Sequence, residues 1–154
     1  MPKITIPTTE DNYHFLRLYH PKEIKFIMTD EVGLMLGAVI RSHANHLKVN
    51  RDAKIDRKTY PCDIEINYSV KRFGRSRVSK ISLSTVKAVN FKIRRITRNA
   101  FFEYARLEKL RHPRKLNIDI ISDFCRRYEL SETGELFEAL KKFEYRKRKS
   151  QKDE

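Results

Sequence analysis

Val86, Val89, Ile93 and Ile96 recur at three- and four-residue steps, the spacing that places apolar groups on one side of an α-helix turning 100° per residue. A helix with so narrow a seam lays that seam on a core and leaves its other sides to solvent. The opposite face carries Ser84, Lys87, Phe91, Arg94, Arg95 and Arg98, with Ala88 beside them and Asn90 toward one flank. Ala100, Leu107 and Leu110 continue the seam, so one helix can run from about Ser84 to Arg111, with Pro113 as its stop. In the alternative, Arg98-Asn99 is a turn and Phe101-Phe102-Glu103-Tyr104 opens a β wing. The continuing seam favours the helix.

The charge around this segment is one-sided. No Asp or Glu occurs between Asn67 and Phe102, a stretch that holds ten cations: Lys71, Arg72, Arg75, Arg77, Lys80, Lys87, Lys92, Arg94, Arg95 and Arg98. The chain has 154 residues, 34 basic and 20 acidic, a formal charge of +14. Removing those ten leaves 24 basic residues against the same 20 acids, so most of the asymmetry is local. Such a footprint is expected where a folded surface meets phosphate. A second basic run, Lys141, Lys142, Arg146, Lys147, Arg148 and Lys149, is interrupted by one acid, Glu144; a solvated helix face would explain it equally well.

Apolar residues at 40% allow a real core, while 35% charged residues argue against a membrane protein. The longest apolar stretch, Val32 to Ile40, is about half the ~20 residues a bilayer span needs. The amino terminus lacks a signal-type apolar region, and Cys62 and Cys125 form no framework pattern. A reducing, intracellular location, cytoplasmic or nucleoid-associated, is expected.

Elsewhere the pattern predicts an extended polar arm over residues 1–12 and short strands at Tyr13–Tyr19 and Glu23–Met28. A dense core helix is predicted from a Thr29 or Asp30 cap to about His46, with Val32, Leu34, Met35, Leu36, Val39 and Ile40 inward. An exposed loop spans 48–61, and a strand lies at Asp63–Tyr68. A helix beginning at Asn117 or Asp119 carries Ile118, Ile121, Cys125 and Tyr128 on one face, with Phe124 beside them. Ser131 and Thr133 precede another helix with Leu136, Phe137, Leu140 and Phe143. The expected fold is α+β, mostly helical. Residues 1–112 form a basic nucleic-acid-binding domain with an N-terminal arm, 114–145 a helical hairpin packed on it or mediating assembly, including a homodimer, and 146–154 a basic, polar tail.

The small-polar opening Ile81-Ser82-Leu83-Ser84-Thr85-Val86 is similar to the start of many recognition helices, with Tyr68-Ser69-Val70-Lys71-Arg72-Phe73 as its supporting segment. With the helix at 30–46, residues 24–105 resemble the helix-turn-helix or winged-helix domains of phage and plasmid replication-initiation and regulatory proteins. The resemblance implies duplex DNA as partner. Independently, a helix about 10–12 Å across fits the major groove, where Arg and Lys reach guanine, Asn pairs with adenine and a ring packs on a thymine methyl. Ser84 and Thr85 can hold phosphate at the helix start. The nucleic-acid contacts expected are Lys71, Arg72, Arg75, Arg77, Lys80, Ser84, Thr85, Lys87, Asn90, Phe91, Arg94, Arg95, Arg98, Lys141, Lys142, Arg146 and Arg148.

RNA is the alternative partner, since phosphate attracts Lys and Arg in either polymer. Catalysis, a metal and a cofactor are not expected. His43 and His46 are three apart without further ligands, and Asp63 with Glu65 would suit a metal-dependent nuclease but are equally explained by strand alternation. No Gly-rich phosphate loop exists among only four glycines. A fourth reading is a structural protein whose basic face meets an acidic protein.

Overall fold

Ile4 and Ile6 alternate with polar neighbours near the amino terminus, as Ile64 and Ile66 do farther along, and burying both sets on one face builds a sheet. The computed structural model describes residues 2–44, 54–69, 81–132 and 134–152. The chain is α+β and mostly helical: β1 (Lys3–Thr8), α1 (Glu10–Tyr19), β2 (Ile24–Lys25), α2 (Glu31–Ala44), β3 (Cys62–Asn67), α3 (Leu83–Arg111), α4 (Asn117–Arg127) and α5 (Glu135–Lys152). Two compact units divide it, Met1–Arg95 and Ile96–Glu154, and α3 contributes to both.

In the first unit β3 is the central strand. It pairs antiparallel with β1, Ile4 opposite Ile66 and Ile6 opposite Ile64, and parallel with β2, Ile24 opposite Ile66. The extended arm expected over residues 1–12 is a sheet strand over residues 3–8, with Ile4 and Ile6 buried, and from Glu10 it is helix.

Residues 13–19 are helical, which corrects the strand expected there. Thr9 caps α1, its hydroxyl accepting from the Asn12 amide, and Glu10 and Asp11 place negative charge on the first turn. Asn12, Phe15 and Leu16 then fall on one buried face. These local signals outweigh the strand preference of a Tyr- and Phe-rich run. The second strand is also shorter than expected, two residues instead of 23–28.

Helix α2 starts where Asp30 accepts from the Gly33 amide at 2.8 Å, and it buries Val32, Leu36 and Ile40. The other Asp30 oxygen accepts from the Lys25 amide at 2.7 Å, tying the helix start to β2. Gly33 permits that approach, because a Cβ there would overlap the Lys25 carbonyl. Residues 54–61 of the expected loop are irregular with a turn at 57–59, and its remainder lies outside the described residues.

Helix α3 is continuous through Arg111, so 98–104 is neither turn nor wing. In the second unit the buried residues of α3 include Phe101 and Ala105, not the Ala100, Leu107 and Leu110 series; Leu110 is 68% exposed. Leu110 lies nine residues after Phe101, about half a turn around the helix, so packing Phe101 inward turns Leu110 outward. Phe101 meets Phe124 edge-on at 5.3 Å, and Ile120, Ile121, Cys125, Leu136, Phe137 and Leu140 complete the core. Ile118, expected on that face, is exposed, and Ile120 takes its place.

Helices α4 and α5 form the expected hairpin. Its turn is a Schellman motif: the Leu130 amide donates to the Cys125 carbonyl and the Glu129 amide to Arg126, with Glu129 at φ 55°. Lys115 holds the preceding turn, its ammonium 2.7 Å from Glu108 and 2.6 Å from Asp123. Both carboxyls are held below their ordinary range, chiefly by the hydrogen bond from Lys115, and the ammonium is held above its own, chiefly by Asp123 and then Glu108.

Candidate nucleic-acid interface

The first half of α3 is positioned by its apolar seam. Val86, Val89 and Ile93 are fully buried in the first unit, and Ile96 is buried just beyond its boundary. Ser82 caps the helix, its hydroxyl accepting from the Thr85 amide at 3.2 Å and lying 3.0 Å from the Thr85 hydroxyl. With that seam fixed, 100° per residue leaves Ser84, Lys87, Phe91 and Arg95 exposed, with Lys92 and Arg94 half-buried.

Lys87, Phe91 and Arg95 are spaced four and four, so they stack along one line of the helix over about 12 Å. Phe91 is 64% exposed, an unusual position for a ring that could have been buried. No carboxylate among the described residues pairs with Lys87 or Arg95, so their charge is available to a ligand.

Two expected contacts are internal instead. Asn90, expected to reach a base, is buried and cross-linked: its Nδ2 donates to the Pro7 and Val86 carbonyls at 2.9 and 2.8 Å. Its Oδ1 accepts from the Thr9 amide at 3.1 Å and from Asn12 Nδ2 at 2.9 Å. The position lies on the flank that turns toward β1 and α1, so its amide fastens the strand-to-helix corner to α3. Thr85 is buried beside Ser82 and cannot meet phosphate.

Arg98 is half-buried in the second unit with its guanidinium 4.7 Å from the centre of the Phe143 ring. Lys141, Lys142, Arg146 and Arg148 are exposed on α5, which remains helical through Lys152, and Lys141 pairs with Glu138 at 3.2 Å. Lys71, Arg72, Arg75, Arg77 and Lys80 lie outside the described residues, as do residues 70–73 of the supporting segment.

Asp63 and Glu65, the pair that would suit a nuclease, are each engaged by a cation. Asp63 lies 2.7 Å from Arg57 and Glu65 2.8 Å from Lys3, whose ammonium that hydrogen bond holds above its ordinary value. No group of three metal-ligating side chains occurs among the described residues. His43 Nδ1 lies 3.0 Å from the Val39 carbonyl, and His46 is outside the described residues. Burial, and after it the charges of Glu10 and Asp63, push the Cys62 thiol up, away from the thiolate a nucleophile needs. No helix among the described residues is long and apolar enough to cross a membrane.

Comparison with protein-family models, with curated proteins and with solved structures returns no match.

Proposed function

We propose that the protein is a non-enzymatic DNA-binding protein that lays the solvent face of the first half of α3 in the major groove of duplex DNA. The observation that carries this reading is Phe91, an exposed ring between Lys87 and Arg95 on the open line of an otherwise anchored helix. The cations supply phosphate or guanine contacts, Ser84 adds a hydroxyl at the helix start, and the ring offers an apolar surface to a thymine methyl. In this reading α3 is the recognition helix of a helix-turn-helix. The winged form is not proposed, because the chain continues as helix where a wing would start. Asn90 and Thr85 leave the contact set.

A second reading draws on the same exposed ring: Phe91 stacking on an unpaired base, with Lys87 and Arg95 on the backbone, would suit RNA. Fluorescence anisotropy of the full chain with duplex DNA, duplex RNA and single strands of equal length, in EDTA and at several salt concentrations, separates the two. Tightest binding to duplex DNA, weakened by Phe91→Ala, supports the first reading. Preference for RNA supports the second, and equal weak binding to every polymer refutes both.

A further inference from the structure

Tyr145 is 71% exposed, more than any other aromatic ring among the described residues. It follows the last buried positions of α5, so packing in the second unit does not require it. Its four surface neighbours on the helix, three and four residues away on either side, are Lys141, Lys142, Arg148 and Lys149, and all four are exposed. Phe91 has cations at three of its four neighbouring positions, the exposed Lys87 and Arg95 and the half-buried Arg94.

Other rings of this unit are covered by cations: Arg98 over Phe143 at 4.7 Å, Lys147 over Phe102 at 5.2 Å, Lys141 over Phe137 at 5.5 Å and Arg127 over Tyr104 at 5.8 Å. No cation among the described residues lies over Tyr145, so the ring face is open. The helix dipole accounts for cations in the last turn. It does not account for Lys141 and Lys142, about three turns before the end, nor for an exposed ring among them. Like charges four apart, such as Lys142 and Arg146, destabilise a helix until an anion lies between them.

We propose that this face of α5 is a second nucleic-acid contact, at which Tyr145 stacks on an unpaired base while Lys142, Arg148 and Lys149 hold the flanking phosphates of a single strand. A ring standing on a convex helix lies flat only against a base whose face is open, and in a duplex those faces are already stacked. An acidic protein segment would use the cations and leave the ring without a partner. The proposal rests on nucleic acid being the ligand of this protein but not on the α3 contact.

The chain contains no tryptophan, so Tyr145→Trp and Phe91→Trp each create a single fluorescent reporter at an exposed position. Saturable quenching of the Tyr145→Trp variant by oligo(dT) or oligo(U), with little change on a blunt duplex of equal length, is the expected result. Tyr145→Ala should weaken single-strand binding roughly 5- to 100-fold, and Tyr145→Phe, which keeps the ring, should stay within about twofold. An indole at this position that stays unquenched at saturating strand, an Ala variant that binds like the parent, or equal quenching by polyglutamate would overturn the proposal. Failure of the α3 reading looks different: Phe91→Trp is silent and Lys87→Ala leaves duplex binding unchanged, while the Tyr145→Trp variant still responds to single strands.

Discussion

Replacing Asn90 with Ala separates an internal strut from a base-reading side chain. The amide makes four hydrogen bonds through its side chain, to Pro7, Val86, Thr9 and Asn12. In the variant Val86 keeps its helical partner and Asn12 keeps the Asn90 backbone carbonyl at 3.2 Å. The Thr9 amide, the Pro7 carbonyl and one Asn12 hydrogen lose their partners. At about 1–3 kcal/mol for each buried group left unpaired, discounted because the Thr9 amide is only part-buried, the loss is about 3–5 kcal/mol. With a urea dependence near 2 kcal/mol per molar, the midpoint of the transition that includes the first unit should fall by roughly 1.5–2.5 M. Duplex affinity measured in buffer, on the fraction that remains folded, should match the parent. A midpoint within about 0.5 M of the parent together with a large loss of DNA affinity would refute the assignment and return Asn90 to the groove.

Other substitutions probe the frame that carries the stripe. Gly33→Ala should cost at least about 2 kcal/mol in chemical denaturation, because the new Cβ meets the Lys25 backbone carbonyl; Gly37→Ala, which meets the Phe26 side chain instead, should lose less. Glu129→Gly should raise stability by about 0.5–1 kcal/mol, since glycine occupies the left-handed region without a Cβ penalty; a loss would show that the Glu129 side chain outweighs its backbone strain. The Lys115 cluster predicts a pH profile. Glu108 and Asp123 have folded pKa values below their unfolded ones, so their contribution is complete above the ordinary carboxylate range near pH 4 and disappears as pH falls through the depressed values. Lys115→Met should flatten the acid limb of stability in urea titrations at pH 3–6, and an unchanged limb would show that the cluster does not contribute to stability.

The central strand β3 and most helices were legible because their periodicity is local, whereas β1 reads from sequence only as an extended arm. The seam of Val86, Val89 and Ile93, the Asp30 cap and the hairpin at 117–143 needed no tertiary information. Helix α1 was legible only through its cap: Thr9, Glu10, Asp11 and Asn12 mark a start, yet the Tyr- and Phe-rich run that follows reads as strand when propensity is weighed alone. Beyond Arg98 periodicity misleads, because Ala100 and Leu110 continue the seam in sequence while the rings of Phe101 and Phe124 decide which face is inward. Of the candidate site, the exposed line of Lys87, Phe91 and Arg95 follows from helical geometry. The burial of Asn90 does not, since its partners at Pro7, Thr9 and Asn12 are about 80 residues away in sequence. Tyr145 carries a sequence signal, a ring with cations at all four helical neighbours, that becomes readable once the helix is known to continue past residue 145.

The most direct test of the DNA-binding claim is the salt dependence of duplex affinity for the parent, a Lys87→Ala/Arg95→Ala variant and a Lys25→Ala control. Each phosphate contact contributes about −0.9 to the slope of log affinity against log salt, so about five contacts give a parent slope near −4.5. The double variant should bind more weakly and its slope should be shallower by about 1.8, while Lys25→Ala leaves both quantities at parent values. A double variant with the parent's slope, or an equal loss at Lys25, would contradict the placement of the interface on α3.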